Sequence, residues 1–427
     1  MRMILILPKK LLTIAENKSY HSYNKQPFIR MAVLFLCSMK ISRILFTILL
    51  VVVLAQNYSV KAQPGVRISL LTCEPGTELY STFGHSAMRV FDSARGYDLV
   101  FNYGTFDFSD PDFYSKFVRG KLMYFLSVST YSEFLWSYHQ EQRSVTEQVL
   151  DLQPAVKQEI YQALMRNQEH ANKYYAYDFL YDNCTTRLRD LLEQYVPSYT
   201  SPNDLLSEPM SFRDALHVYL KKNKQPWSQL GIDLLLGSKI DRAMDARTVQ
   251  FLPDYLMKAV AGAKTETKKL EEASIQVLSF PPQNIETPWS PVWVNTMLVL
   301  VLFLATFFGG KLLTQWLDVI WWFLLGLIGV ILSFMWLGTN HASCANNFNL
   351  VWALPTHIIA ATWMFKSQRI AIRYFQLNLL IQLLLIASWY WLPQNMHEAW
   401  IPVILYSCWR SYAFIKKSSI HEKISHL

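Results

Sequence analysis

The chain has five cysteines in 427 residues, and charged side chains make up only 17% of it. It has no Gly-rich phosphate loop, no carboxylate cluster and no patch of interleaved basic and aromatic residues. Those absences argue against nucleotide hydrolysis, paired-carboxylate chemistry and nucleic-acid binding. No Cys/His spacing of the metal-binding type occurs, so neither a metal nor any other cofactor is expected. No Gly or Ala precedes a cysteine, as a lipobox would require, so the chain is not itself expected to be a lipoprotein.

Apolar residues are what the chain has in excess: 52% are hydrophobic and 15% aromatic. They are unevenly spread. Residues 64–290 read as an ordinary globular sequence, whereas 291–415 are nearly continuous apolar runs, which predicts one soluble and one membrane part. Upstream, "MKISRILFTILLVVVLAQNYSVKAQ" from Met39 has a basic start, an apolar run and a small-residue end at Val60-Lys61-Ala62. It reads as a secretory signal over 39–62 cleaved near Ala62, with 1–38 a non-native extension and Met39 the expected start.

Five spans are expected in the membrane half, at about 292–313, 317–337, 350–366, 370–392 and 400–415. The first, second and fourth reach the ~20 residues that cross a ~30 Å hydrocarbon layer. The other two are shorter and rest on Trp352, Trp363, Trp400 and Trp409 as interfacial anchors. Lys311, Lys366, Arg369, Arg373, Lys416, Lys417 and Lys423 fall on one side, and the loops "GTNHASCANNFN" and "PQNMHEA" carry no Lys or Arg. The positive-inside rule turns those loops and everything before 291 outward and puts the tail 416–427 in the cytoplasm. The net charge of +8 is accounted for by these cytoplasmic loops and the N-terminal extension.

In the soluble part, "VRISLLT", "SAMRVFD", "DLVFNYG", "KLMYFLSVS" and "SVTEQVLDL" alternate at period two and predict five strands. "PAVKQEIYQALMRNQEHAN" then opens a helix on Pro154. A sheet followed by helices predicts an α+β domain over 64–200, with a helical connector over 201–290.

The chemistry concentrates in "YDFLYDNCTTRLRDLLEQYV" (Tyr177 to Val196). Leu188, Leu191, Leu192, Tyr195 and Val196 recur on one helical face, and Cys184 falls on that face one turn earlier. Asp182 or Asn183 reads as the N-cap. A thiol at the positive end of a helix dipole can drop from about 8.5 towards roughly 3.5–7.5, which makes a nucleophile. A buried small residue fits this segment equally well, and a Cys73–Cys184 disulfide is a further alternative in an oxidising compartment. A cysteine nucleophile needs a base, and the base needs a group to hold its ring. His85 in "STFGHSAMRV" and Asn102 in "FNYGTFDF" lie on neighbouring predicted strands, ~4.8 Å apart, and supply both.

"FGHSAMRV", "FNYGTFDF" and "YDNCTTRLRDLL" together resemble the Lnb-type periplasmic domain, which is joined to a membrane region in bacterial lipoprotein acyltransferases. The His-then-Cys order is also similar to the permuted papain-like fold of the lecithin–retinol acyltransferase relatives. The resemblance covers most of 66–415, including the "TNHASCANNFNLVWALP" loop. It implies Cys184 as nucleophile and His85 as base, with Asn102 placed as third member from the strand pattern. It also implies acyl transfer to the amine of a lipoprotein's N-terminal cysteine, from a diacylglyceryl group or a phospholipid, at the cytoplasmic membrane.

Backbone N–H groups at the start of the Cys184 helix are expected to face the oxyanion. Arg187 could add charge stabilisation or hold a phosphate or carboxylate, and a surface ion pair is an equal alternative. Thr185, Tyr103 and His341 complete the residues assigned to oxyanion or substrate binding. The run Phe106, Phe108, Phe113, Tyr114, Phe117 could line a water-poor entrance or be ordinary core. His341, Cys344, Asn346, Asn347 and Asn349 are expected in a loop folded under the soluble domain; a second Cys–His pair or a solvated turn are the alternatives. A cysteine peptidase or amidase acting on cell-wall peptide, a lipid hydrolase, and a non-catalytic membrane assembly subunit with an inert thiol are the competing functions.

Overall fold

The computed structural model describes residues 65–425 except 267, 283, 284 and 367. Cys37, the expected signal and the segment before it lie outside the described residues.

All five expected strands form: β1 (Val66–Cys73), β2 (His85–Asp92), β3 (Tyr97–Thr105), β4 (Met123–Thr130) and β5 (Val145–Leu150). Two more join them, β6 (Tyr174–Ala176) and β7 (Glu271–Leu278), in one antiparallel sheet of order β6-β4-β3-β2-β1-β5-β7. β7 falls in the stretch expected to be a helical connector. Its "EEASIQVL" alternation is that of a mostly exposed edge strand laid on β5.

Both faces of the central strands are covered, so the polar side chains Ser69, Ser86, Arg89, Glu147 and Gln148 are buried along with the apolar ones. On one face Ile68, Leu70, Met88, Val90, Phe101 and Leu150 pack against α3 (Pro154–Gln168), α4 (Cys184–Tyr195) and α7 (Pro253–Gly262). On the other, Leu71, Cys73, Ala87, Val100 and Val145 pack under Phe134 of α2 (Tyr131–Gln140). Thr130 and Glu133 close a reciprocal capping box that starts α2. A short helix, α1 (Phe113–Val118), sits between β3 and β4. Pro154 occupies the first turn of α3, and the helix ends at Gln168, one turn before the expected Asn172.

The connector carries α5 (Phe212–Lys222), α6 (Pro226–Leu235) and α7 around a second core of Phe212, Leu216, Leu220, Ile240, Phe251 and Leu252. Arg213 of α5 is fully buried, donating to Asp233 Oδ1 and Asp241 Oδ1 at 2.8 Å and to the Leu236 carbonyl at 2.9 Å.

Among the described residues three helices are long and apolar enough to cross a membrane: α8 (Pro291–Phe308), α9 (Lys311–Leu337) and residues 369–387 of α11 (Gln368–Ala387). The other two expected spans differ. The third is only ten residues of helix, α10 (His357–Lys366), because Phe348–Val351 is a 3-10 turn and Pro355 stands before the helix. The break also presses on α9, where a Cβ on Gly329 would collide with the Ala353 carbonyl and one on Gly326 would meet Ile358 N at 2.7 Å. The fifth, α12 (Ile401–Ser425), runs ten residues beyond the expected end and carries Arg410, Lys416 and Lys417. The first expected span is cut short at Gly309-Gly310, and α9 begins earlier than predicted, at Lys311.

The loop between α9 and α10 is clamped to the rest of the molecule. Asn347 Nδ2 donates to the Leu234 and Leu235 carbonyls at 2.8 and 3.1 Å, and Asn349 Nδ2 to the Asp233 carbonyl at 2.9 Å. Gly237 N donates to the Ser343 carbonyl at 2.9 Å, and a Cβ on Gly237 would collide with the Ala345 carbonyl. Asn340 N donates to the Arg119 carbonyl, just past α1. The loop therefore folds under the soluble part, as its polar sequence predicted. Lys311 lies at the far end of α9, about 40 Å away at 1.5 Å per residue.

Candidate active site

Asn183 is the N-cap of α4, and it is held from two directions. Its Oδ1 accepts from Thr185 N at 2.9 Å and Thr186 N at 2.8 Å, while its Nδ2 donates to the carbonyls of Phe179 at 2.8 Å and Phe251 at 2.9 Å. Thr186 Oγ1 accepts in turn from Asn183 N. Asn183, Thr185, Thr186 and Phe251 are buried and Phe179 is half-buried, so the backbone that carries Cys184 has little freedom.

The β2–β3 ladder stops at Met88–Phe101, short of His85, while β1–β2 pairing runs on to Cys73–His85. Next to the opening, β3 is irregular between Asn102 and Thr105, and Gly104 takes φ +84°. A Cβ there would stand 3.6 Å from Cys184 Cβ and 3.4 Å from Tyr177 Cε2. The first turn of α4 fills the gap so made. His85, Cys184 and Asn102 meet at this open end of the sheet.

His85 Nε2 donates to Asn102 Oδ1 at 3.4 Å, and the imidazole lies near enough to the Cys184 sulfur to act on the thiol. With the Nε2 proton committed to Asn102, Nδ1 is the nitrogen that can accept from the thiol. Burial alone would raise the Cys184 pKa. The charge and nearness of His85, with smaller help from the Ser86 N–H and Thr185, outweigh it and bring the thiol down from 9.0 to about 7. Cys184 is thus a thiolate in a substantial fraction near neutrality, at a position 9% exposed.

Cys73 shows the contrast. It lies on the other face of the sheet, free and not bridged to Cys184, and burial pushes its thiol up to about 12.

The other assigned residues are less directly placed. Thr185 Oγ1 lies 3.7 Å from Cys184 Sγ and donates to Ser86 Oγ at 3.2 Å. Arg187 is bidentate to Asp182, at 2.5 and 2.7 Å, and its guanidinium lies 3.9 Å over the Tyr175 ring. Tyr103 turns its hydroxyl to Asn167 at 2.7 Å, because strand alternation sends it away from Asn102. His341 Nε2 is 3.0 Å from the Phe117 carbonyl and ties the membrane loop to α1.

The expectation that several helix-start N–H groups face the oxyanion is corrected here. Asn183 Oδ1 takes those of Thr185 and Thr186, and the Asn183 carbonyl takes that of Arg187 at 3.1 Å. Cys184 N–H is the donor the cap leaves over.

Sequence reasoning did not single out Ser86, Gly104, Tyr175 or Tyr177. Only Gly104 carried a signal, a glycine inside a strand pattern. Among the described residues no group of three His, Cys, Asp or Glu side chains could hold a metal ion.

Residues 57–217 match the family described as the Lnb N-terminal periplasmic domain, and residues 282–419 match the Lnb transmembrane domain. The chain belongs to the Lnb family. It is a membrane protein with a periplasmic N-terminal domain. No curated protein and no solved structure matches it.

Proposed function

We propose that this Lnb-family protein is a membrane-bound thiol acyltransferase of lipoprotein maturation. A fatty acyl chain passes through a Cys184 thioester to the N-terminal amine of a bacterial lipoprotein. The observation that carries this reading is the Cys184–His85–Asn102 constellation in a domain clamped to membrane helices.

The Cys184 thiolate attacks the ester carbonyl, and the carbonyl electron pair moves onto oxygen. The Cys184 N–H stabilises that oxyanion, and one such donor is worth about 2.7–4 kcal/mol. Collapse breaks the ester C–O bond, and the protonated His85 gives its proton to the leaving alcohol. The lipoprotein amine then attacks the thioester, His85 takes its proton, and the amide leaves with the thiol restored. Asn102 holds the imidazole in line throughout. The arrangement of a helix-borne Cys against His and Asn on adjacent strands supports a permuted papain-like core.

The reading places five C-terminal segments in the cytoplasmic membrane, with α10 together with the 3-10 turn before it, and α12, completing the set, and the site on the periplasmic side. Lipoproteins and phospholipid acyl chains are the partners. An aromatic band supports an approach from the bilayer. Phe117 stacks on Phe113 at 6.1 Å, Phe113 meets Phe106 at 5.9 Å, Phe106 meets Tyr124 at 5.3 Å, and Tyr124 stacks on Tyr177 at 4.2 Å, beside Gly104 and Cys184. Its outer members Phe108, Tyr114 and Phe117 are exposed, and His341 binds the lip at the Phe117 carbonyl.

Mass spectrometry of lipoprotein N-termini tests the function. A Cys184→Ala strain is expected to accumulate lipoproteins with a free α-amine. Fully N-acylated lipoproteins in that strain, with altered cell-wall peptide stems, would replace the reading with a wall hydrolase.

A further inference from the structure

One buried hydroxyl beside Cys184 has no task in the resting protein. Tyr175 is the middle residue of β6, paired with Tyr124 of β4, and it shares one core cluster with Cys184, Tyr103 and Leu188. It is 7% exposed, and its Oη is buried without a hydrogen-bond partner. The Gly104 backbone faces the hydroxyl without closing a good bond, and Gly104 is the residue that lies against the Cys184 Cβ and N. Burial first, and then the Cys184 charge, raise the Tyr175 pKa, so the hydroxyl keeps its proton.

The ring is fixed as well as buried. Arg187 lies over one face, itself held by Asp182, and Tyr103 packs edge-on at 6.3 Å. An orphan hydroxyl in a rigid wall is a cost to folding, and a catalytic role is one of the reasons for which a native protein retains one.

Most other donors around the sulfur are committed. Thr185 and Thr186 N–H go to Asn183, the Thr185 hydroxyl to Ser86, and Arg187 to Asp182. Cys184 N–H and the hydroxyls of Tyr175 and Tyr177 are left, and of these two hydroxyls Tyr175's is the one sealed from solvent without a partner.

We propose that Tyr175 is a catalytic residue whose hydroxyl donates to the carbonyl oxygen of the acyl group on Cys184, forming an oxyanion pocket with the Cys184 N–H. This deepens the acyl-transfer reading and rests on it. The hydroxyl transfers no proton. Its hydrogen bond shortens as the carbonyl pair moves to oxygen and relaxes when the tetrahedral intermediate collapses.

The test uses full-length protein in detergent and a fatty-acid p-nitrophenyl ester, with nitrophenolate release and the Cys184 thioester mass as readouts. Tyr175→Phe is expected to slow thioester formation by about 10²–10³-fold, the loss seen when one oxyanion donor is removed. Alkylation of Cys184 by iodoacetamide builds no oxyanion, so its rate and pH midpoint are expected to stay as in the unsubstituted protein. Thermal stability is expected to be unchanged or higher, since the orphan hydroxyl is gone. An unchanged acylation rate in Tyr175→Phe overturns the assignment while leaving the nucleophile intact. An equal fall in acylation and alkylation overturns it in favour of a structural role. Absence of any Cys184 thioester in the unsubstituted protein overturns both this assignment and the acyltransferase reading.

Discussion

Two places in this protein offer a cysteine, a histidine and an asparagine on the outer side of the membrane. One is the open end of the sheet, with Cys184, His85 and Asn102. The other is the loop after α9, with Cys344, His341, Asn347 and Asn349. The residue types match, but the outcomes do not. At the sheet, a capped helix delivers the sulfur to an imidazole already held by Asn102, and the thiol falls to about 7. In the loop, His341 bonds a backbone carbonyl, both asparagines hold connector carbonyls, and burial drives the Cys344 thiol up to about 11. The difference lies in what the backbone does with each residue. A side chain spent on a main-chain group is fastening, and one left facing another side chain is available for chemistry.

The comparison breaks most directly at the sulfurs. Cys184→Ala is expected to abolish lipoprotein N-acylation, whereas Cys344→Ala leaves the extent of N-acylation unchanged. Mass spectrometry of lipoprotein N-termini from the two strains reads both.

The next effect falls on His85. Replacing it with Ala removes the base and is expected to cost about 10²–10⁴-fold in thioester formation. It also removes the main influence that lowers the thiol pKa, and burial then acts against a weaker opposition. The midpoint of Cys184 alkylation is expected to move from near pH 7 to above 9, while Cys344 alkylation keeps a midpoint near 11. The sign follows from the thiolate being the reactive form: a raised pKa delays reaction to higher pH.

Asn102→Ala should cost less, up to about a hundredfold in thioester formation, because it loosens the geometry and leaves the reacting groups in place. Single-turnover acylation kinetics would measure it.

The smallest change in activity is expected from Asn349→Ala. It strips a buried donor from the Asp233 carbonyl and should lower the stability of the full chain by about 1–3 kcal/mol. Activity per folded molecule should stay the same. A larger activity loss than stability loss would show that the clamp also positions the site.

How much of this was legible beforehand depended on distance along the chain. Five strands could be read because each carries its own alternation. The N-cap could be read from two adjacent residues, although not the choice between Asp182 and Asn183. That choice depends on the Phe251 carbonyl, 68 residues on, which only Asn183 Nδ2 can serve. β6 is three residues long, too short for any period, and Tyr175 on it looked like one tyrosine among 23. The helix-start donors were misjudged for the same kind of reason. Their availability depends on where the cap's oxygen points, and sequence does not fix that. In the membrane half, apolar content marked three segments that form long apolar helices, but Pro355 and the Asn347–Asn349 turn broke the third expected span at a place hydropathy averages over.

The late arrival of β7 has a consequence for where the soluble domain can be cut. A fragment ending at residue 217, where the first family match stops, would lack the strand that covers β5, the helix α7 that packs under β1, and the Phe251 carbonyl that anchors the cap. The nascent chain cannot finish the nucleophile's support until residue 278 has emerged, and only residues 279–290 then separate the completed sheet from α8. Any water-soluble version for crystallisation or assay has to be severed inside that short tether.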